Sequence, residues 1–185
     1  MFIQTEETPN PATMKFLPSR EVMGAGTLEI TDARAATASP LAGELFKIEG
    51  VKGVFLGKDF ITVTKEESRD WPVMKPAIIA TIMDHFTNER PVVNEDGAMN
   101  EAPVADIDED EISKQIREIL DVKVRPAVAQ DGGDITFQKF EDGVVYLNMK
   151  GSCAGCPSST ATLKAGIENM LKHYIPEVKE VRQTR

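Results

Sequence analysis

Apolar residues in the first half of the chain fall in short runs of period two, interrupted twice by helical spacing. Phe2–Glu6, Met14–Leu17 and Thr27–Ile30 predict short strands, and Val54–Leu56 with Phe60–Lys65 predicts a hairpin around Gly57-Lys58-Asp59. Ser39-Pro40 is an N-cap and first-turn pair for a helix running through Phe46. Asp70-Trp71-Pro72 opens a second helix, on which Ile78, Ile82, His85 and Phe86 share one stripe.

The second half opens with an acidic first turn, Asp106 to Glu111, which suits a helix start. Ile112, Ile116, Ile119, Leu120, Val124, Ala127 and Val128 follow at helical spacing. Pro126 lacks a donor and predicts a kink, and Asp131-Gly132-Gly133-Asp134 predicts the stop. Ile135–Phe140 and Val144–Met149 alternate on either side of Glu141-Asp142-Gly143, a hairpin signal. A cysteine-bearing loop comes next, then a helix with Leu163, Ile167, Met170, Leu171 and Tyr174 on one face, closed by Pro176. Val178–Val181 predicts a last short strand.

Between these halves, residues 89–107 keep neither period and are rich in polar residues and proline, the pattern of a flexible linker. The predicted architecture is therefore α+β. A first α+β domain spans residues 1–88, an acidic linker 89–107, and a second domain 108–185, in the order helix, hairpin, C-x-x-C loop, helix, strand. A chain of 185 residues supports two such modest cores.

Locating the charge changes what it means. The net charge is -9, yet nine acidic residues and one basic residue lie between Glu89 and Glu111, so the remainder is nearly neutral. No basic stripe with interleaved aromatics is present, which excludes nucleic acid as an expected partner. The longest apolar stretch, Ala77 to Met83, is far too short for a membrane span. The N-terminal residues show neither a secretory signal nor an Arg-rich transit peptide, so a cytoplasmic protein, or a processed organelle protein, is expected.

Candidate chemistry is concentrated in one place. Cys153 and Cys156 are the only cysteines, and both lie in the stretch Lys150 to Thr160. A single close pair suits a reducing compartment. Two soft thiolates can chelate a metal or close a disulfide, but they cannot complete a four-thiolate shell. A loop between a strand and a helix start, beside Lys150, should favour the ionised thiol. It carries no Asp, Glu or His, which removes harder metals.

Three readings compete: incidental cysteines, a thiol-disulfide oxidoreductase, and a shared metal site. Thioredoxin-like motifs also sit at a helix start, but here a hairpin precedes the motif and only 29 residues follow Cys156. Metal binding then needs four thiolates from two chains, which puts the site on the two-fold axis of a homodimer. Zinc is a rival to an iron-sulfur cluster, because sulfur-only ligation suits both. His173, in the last turn of its helix, is a conceivable third ligand, although the helix dipole accounts for it. His85 reads as a packing or capping residue. The first half has no cysteine, and an interaction or regulatory domain is expected there.

Val124-Arg125-Pro126, Asp131-Gly132-Gly133-Asp134-Ile135 and Gly151-Ser152-Cys153-Ala154-Gly155-Cys156-Pro157-Ser158-Ser159-Thr160 closely resemble the C-terminal domain of NifU-like iron-sulfur scaffold proteins. The first half resembles the N-terminal domain of the Nfu subgroup through Thr8 to Phe16, Ser39-Pro40-Leu41-Ala42 and the segment Ile48 to Thr64. The resemblance implies a non-enzymatic scaffold or carrier. It would receive a cluster, typically 4Fe-4S with 2Fe-2S as the alternative, bridged between two subunits, from upstream assembly proteins and pass it to apo iron-sulfur proteins. Cys153 and Cys156 match the family's cluster ligands. The family has bacterial cytoplasmic and mitochondrial matrix members, and the absence of a transit peptide favours the bacterial location. For the Asp131–Asp134 turn a helix stop is the simpler expectation; the sharper one is that its glycines let backbone approach the cysteine loop.

Overall fold

The computed structural model describes residues 1–94, 110–154 and 157–184, with residues 157–159 described by backbone alone. It divides into two compact units, Met1–Pro103 and Val104–Arg185. The fold is α+β in both.

The first unit is a five-stranded antiparallel sheet in the order β1-β2-β5-β4-β3. Its strands are β1 (Gln4–Glu7), β2 (Thr13–Leu17), β3 (Leu28–Ile30), β4 (Val51–Leu56) and β5 (Ile61–Lys65), with helices α1 (Pro40–Phe46) and α2 (Trp71–Thr87). Phe16, Ile30, Leu56, Ile61 and Val63 of the sheet join Leu41 and Leu45 of α1 and Ile78 and Ile82 of α2 in one buried core. Ser39 caps α1 as expected: its Oγ accepts from the Ala42 N–H at 3.1 Å. The Thr8–Thr13 motif builds the β1–β2 connection, where Ala12 N–H donates to Asn10 Oδ1 at 3.0 Å and Trp71 Nε1–H donates to Pro11 O at 3.1 Å.

Residues 89–94, expected in the linker, belong with this unit instead. Val92 and Val93 pack on its core, Ser39 Oγ donates to Val92 O, and Asn94 N–H donates to Ala38 O at 3.0 Å. Two apolar residues and a ring of backbone acceptors suffice to hold a segment whose composition reads as linker. Residues 95–107 of the expected linker lie outside the described residues.

The second unit begins with a continuous helical run: α3 (Glu111–Ile119), a π turn over Leu120–Val124, and α4 (Arg125–Gln130). Asp110 caps it, accepting from Ser113 N–H at 2.9 Å. Pro126 would clash with the carbonyl one turn back and gives that carbonyl no donor. The chain resolves this upstream by winding wider, with Arg125 N–H bonding to Leu120 O. The wider turn also keeps Ile116, Leu120, Val124 and Val128 together in the core, although a strict spacing of four drifts about 40° per step on an ideal α-helix. Ala127, placed on the stripe by spacing, is exposed as a result.

Strands β6 (Gly133–Glu141) and β7 (Val144–Gly151) form the expected antiparallel hairpin. Asp142 and Gly143 at its tip take φ of 53° and 81°, the left-handed pair that a two-residue turn needs. Helix α5 (Pro157–Tyr174) crosses back to β8 (Glu180–Thr184), which lies parallel to β7 in a sheet of order β6-β7-β8. Tyr174 is exposed rather than buried: at the helix end its ring lies under Lys123 Nζ, 4.4 Å from the centroid, and its hydroxyl accepts from that amine at 2.7 Å.

Candidate functional site

Strand β7 alternates buried Met149 with half-buried Lys150 and ends at Gly151, whose φ of 66° turns the chain sharply. Ser152 and Cys153 follow, both buried, and Cys153 is counted among the core residues of this unit. Three bonds hold the turn. Ser152 N–H donates to Gly132 O at 3.3 Å, Ser152 Oγ donates to Asp131 O, and Ala154 N–H donates to Gly151 O at 3.1 Å. From the first turn of α5, Thr160 Oγ1 donates to Cys153 O at 2.9 Å.

The opposite wall of the site is the turn from α4 into β6. A Cβ on Gly133 would stand 2.6 Å from Cys153 Sγ and 2.7 Å from Lys150 O, both closer than atoms can approach. Glycine is therefore what allows the thiol to lie against the backbone here. The Asp131–Asp134 segment thus does more than stop a helix: Gly133 admits the cysteine loop at close range. Asp134 is buried, and its two carboxylate oxygens accept from Arg125 Nε at 2.8 Å and Nη2 at 2.9 Å. Asp134 Oδ1 also accepts from Ile135 N–H at 2.8 Å. Asp134 raises the pKa of the Arg125 guanidinium further above its usual value, against the opposing effect of burial. The second unit's signature segments thus converge on Cys153, although they are separate in sequence.

The electrostatics overturn one expectation. The Cys153 thiol was expected to ionise readily, yet its pKa is pushed up to about 11. Burial is the main cause; the Ser152 hydroxyl acts in the opposite direction, and the carboxylates of Asp131 and Asp134 add to the rise. Desolvation of a sulfur packed into the core disfavours its charged form. A soft metal can still displace the proton on binding, so a high thiol pKa and sulfur ligation are compatible.

Cys156, with Gly155, lies outside the described residues. Among the described residues no three His, Cys, Asp or Glu side chains stand close enough to hold a metal ion. His85 is buried, with Nε2 3.1 Å from Pro91 O, the packing role expected for it. His173 lies in the last turn of α5, its ring 5.1 Å from that of Tyr174, at the opposite end of the helix from Thr160. Sequence reasoning missed Arg125 as a site residue. Its signal was the Arg-Pro pair, read for the helix break and for the family resemblance and not for the chemistry of the arginine.

The second unit is thus a small α+β domain with a buried thiol seated against a glycine before a helix start. Residues 3–89 match the family described as "Scaffold protein Nfu/NifU N terminal", and residues 116–182 match "NifU-like domain". The human protein named "NFU1 iron-sulfur cluster scaffold homolog, mitochondrial" is 52% identical over 184 residues, covering 99% of this chain and 72% of the human one. The protein of the same name from Drosophila persimilis is 51% identical over 184 residues, covering 99% of this chain and 65% of that one. A solution structure of a NifU-like protein from Saccharomyces cerevisiae aligns at 28% identity with a TM-score of 0.47, over 51% of this chain and 86% of that one. The chain belongs to the Nfu/NifU family of iron-sulfur cluster scaffold proteins.

Proposed function

We propose that this chain carries a 4Fe-4S cluster on Cys153 and Cys156, completes the ligand set with the same pair from a second copy, and transfers the cluster to apo-proteins. The observation that supports this most is the seat of Cys153: a soft donor held on a glycine-backed turn, in a family of cluster scaffolds. One chain has two cysteines and the cluster takes four thiolates, so the second pair comes from a partner copy. A dimer centred on the free edge of β6 would part the two Gly133–Cys153 ends by about 27 Å, eight residues of strand, too far for one cluster. The shared site therefore calls for a dimer that meets through the cysteine loops at the end of the sheet.

Because the donors belong to two chains, cluster loss and dimer dissociation are coupled, which favours release to a recipient. Apo iron-sulfur proteins are the recipients and upstream assembly proteins the donors; a 2Fe-2S cluster is a second possible cargo. The relatives' names place them in mitochondria, and the mitochondrial matrix is the location this reading carries over, with bacterial cytoplasm as the alternative. No helix among the described residues is long and apolar enough to cross a membrane.

Anaerobic reconstitution with iron and sulfide tests the reading. The expected result is about one 4Fe-4S cluster per dimer, abolished by Cys153→Ser and by Cys156→Ser. A full cluster in either variant refutes the shared site. Metal analysis with visible absorbance separates a cluster from colourless zinc thiolates. Sustained insulin reduction with a reductant would indicate an oxidoreductase instead.

A further inference from the structure

We propose that Arg125 and Asp134 are positioning residues for Cys153, their two-pronged ion pair clamping the Asp131–Asp134 turn on which the sulfur rests. The proposal builds on the scaffold reading above. Three observations carry it. The guanidinium meets both oxygens of a buried carboxylate in the parallel geometry that fixes orientation as well as distance. Asp134 adjoins Gly133, the residue in closest contact with the thiol, and sits opposite Lys150 in the β6–β7 ladder, whose carbonyl forms the same wall. Finally, Arg125 closes the π turn and reaches back to Asp121 Oδ1 at 3.2 Å, so the widened turn that Pro126 imposes also aims the fork.

The clamp holds the Asp134 end of the turn and the Ser152 hydroxyl holds its Asp131 end, and Cys153 Sγ lies against Gly133 within that segment. Neither Arg125 nor Asp134 donates to a cluster. They act by fixing the backbone that the donor leans on, and loss of either partner leaves the turn free to open while the core of the unit stays packed around Ile116, Leu120 and Leu147.

The test uses the full chain. In a Cys156→Ser background, without cluster, the native-state alkylation rate of Cys153 is measured for Arg125→Gln, Asp134→Asn and the double variant. The half-life of the reconstituted cluster is measured for the same substitutions with both cysteines present. Each single change should raise the alkylation rate about tenfold or more, equivalent to about 1.4 kcal/mol of local opening. Cluster half-life should shorten in step, and the double variant should go no further than the singles, because one clamp is removed once. Val181→Ala, a core truncation in β8, should lower global stability while leaving both readouts near the parent values. Unchanged alkylation in folded single variants overturns the proposal, as do additive singles or a Val181→Ala effect of equal size. Arg125→Gln leaves the Asp134 to Ile135 bond available, so it decides the matter if Asp134→Asn does not fold. The alkylation arm needs no cluster: wild-type protein that never takes up a cluster sinks the scaffold reading alone.

Discussion

Replacing Gly133 with alanine should destabilise the second unit and expel Cys153 from its seat. Gly133 lies in β6 with no need of a left-handed backbone, so the substitution is judged by space alone. Alanine stiffens the unfolded chain, which favours the folded state by about 0.4–1 kcal/mol at a compatible site. Against this stand the contacts its Cβ would make: 2.6 Å to Cys153 Sγ, 2.7 Å to Lys150 O and 3.1 Å to Cys153 N. The Lys150 carbonyl belongs to the strand opposite Asp134 and gives little, so the cysteine loop must move. Overpacking of this kind costs about 1–3 kcal/mol, leaving a net loss of about 1.3 kcal/mol at the middle of the two ranges. Chemical denaturation monitored by far-UV circular dichroism measures the loss, and alkylation in a Cys156→Ser background reports the displaced thiol. Gly166→Ala is the internal control: nothing lies within 4 Å of its Cβ, and in the interior of α5 it should stabilise by about 0.5–1 kcal/mol. If Gly133→Ala proves as stable as wild type with Cys153 still protected, the reasoning about the seat is wrong.

Ser39→Ala should destabilise the first unit by roughly 2 kcal/mol, since it removes both the cap to Ala42 and the bond that ties Val92, and proteolysis near residues 89–94 should accelerate. His85 gives that unit an acid limit: burial, opposed by the Pro91 carbonyl and assisted by the Arg90 charge, lowers its pKa from 6.5. The unfolded chain therefore takes up the proton first. The stabilising effect is complete above about pH 6.5 and is lost as pH falls, by up to about 1.4 kcal/mol per pH unit between the two pKa values. Thermal unfolding of His85→Gln across pH 5 to 7.5 should show a shallower slope than wild type, and an identical slope would exclude this histidine as the cause. Ile116→Ala, emptying a fully buried position on the helical stripe, should cost about 2–5 kcal/mol in denaturant titrations that follow the second unit.

Much of this molecule could be read from local chemistry. Ser39-Pro40 and Asp142-Gly143 specify a helix start and a hairpin tip through backbone preferences that need no distant partner, and both appear where expected. Val92 and Val93 were illegible as part of the first unit, because two apolar residues in an acidic, proline-containing segment carry no period. They pack, half-buried, against a core drawn from the whole first unit, beside Ser39 at the start of α1.

What the sequence by itself determined is the candidate donor set: two cysteines three positions apart, between a hairpin and a helix, and too few for a four-thiolate cluster. Only the tertiary structure decided the state of Cys153. The placement of the loop before a helix argued for a ready thiolate, but folding buries Cys153 in the core against Gly133, and that desolvation raises its pKa. The direction of β8 and the grip of Arg125 on Asp134 belong to the same class. Each arises from segments that folding brings together, one by a helical crossover and the other by a π turn that a single proline enforces.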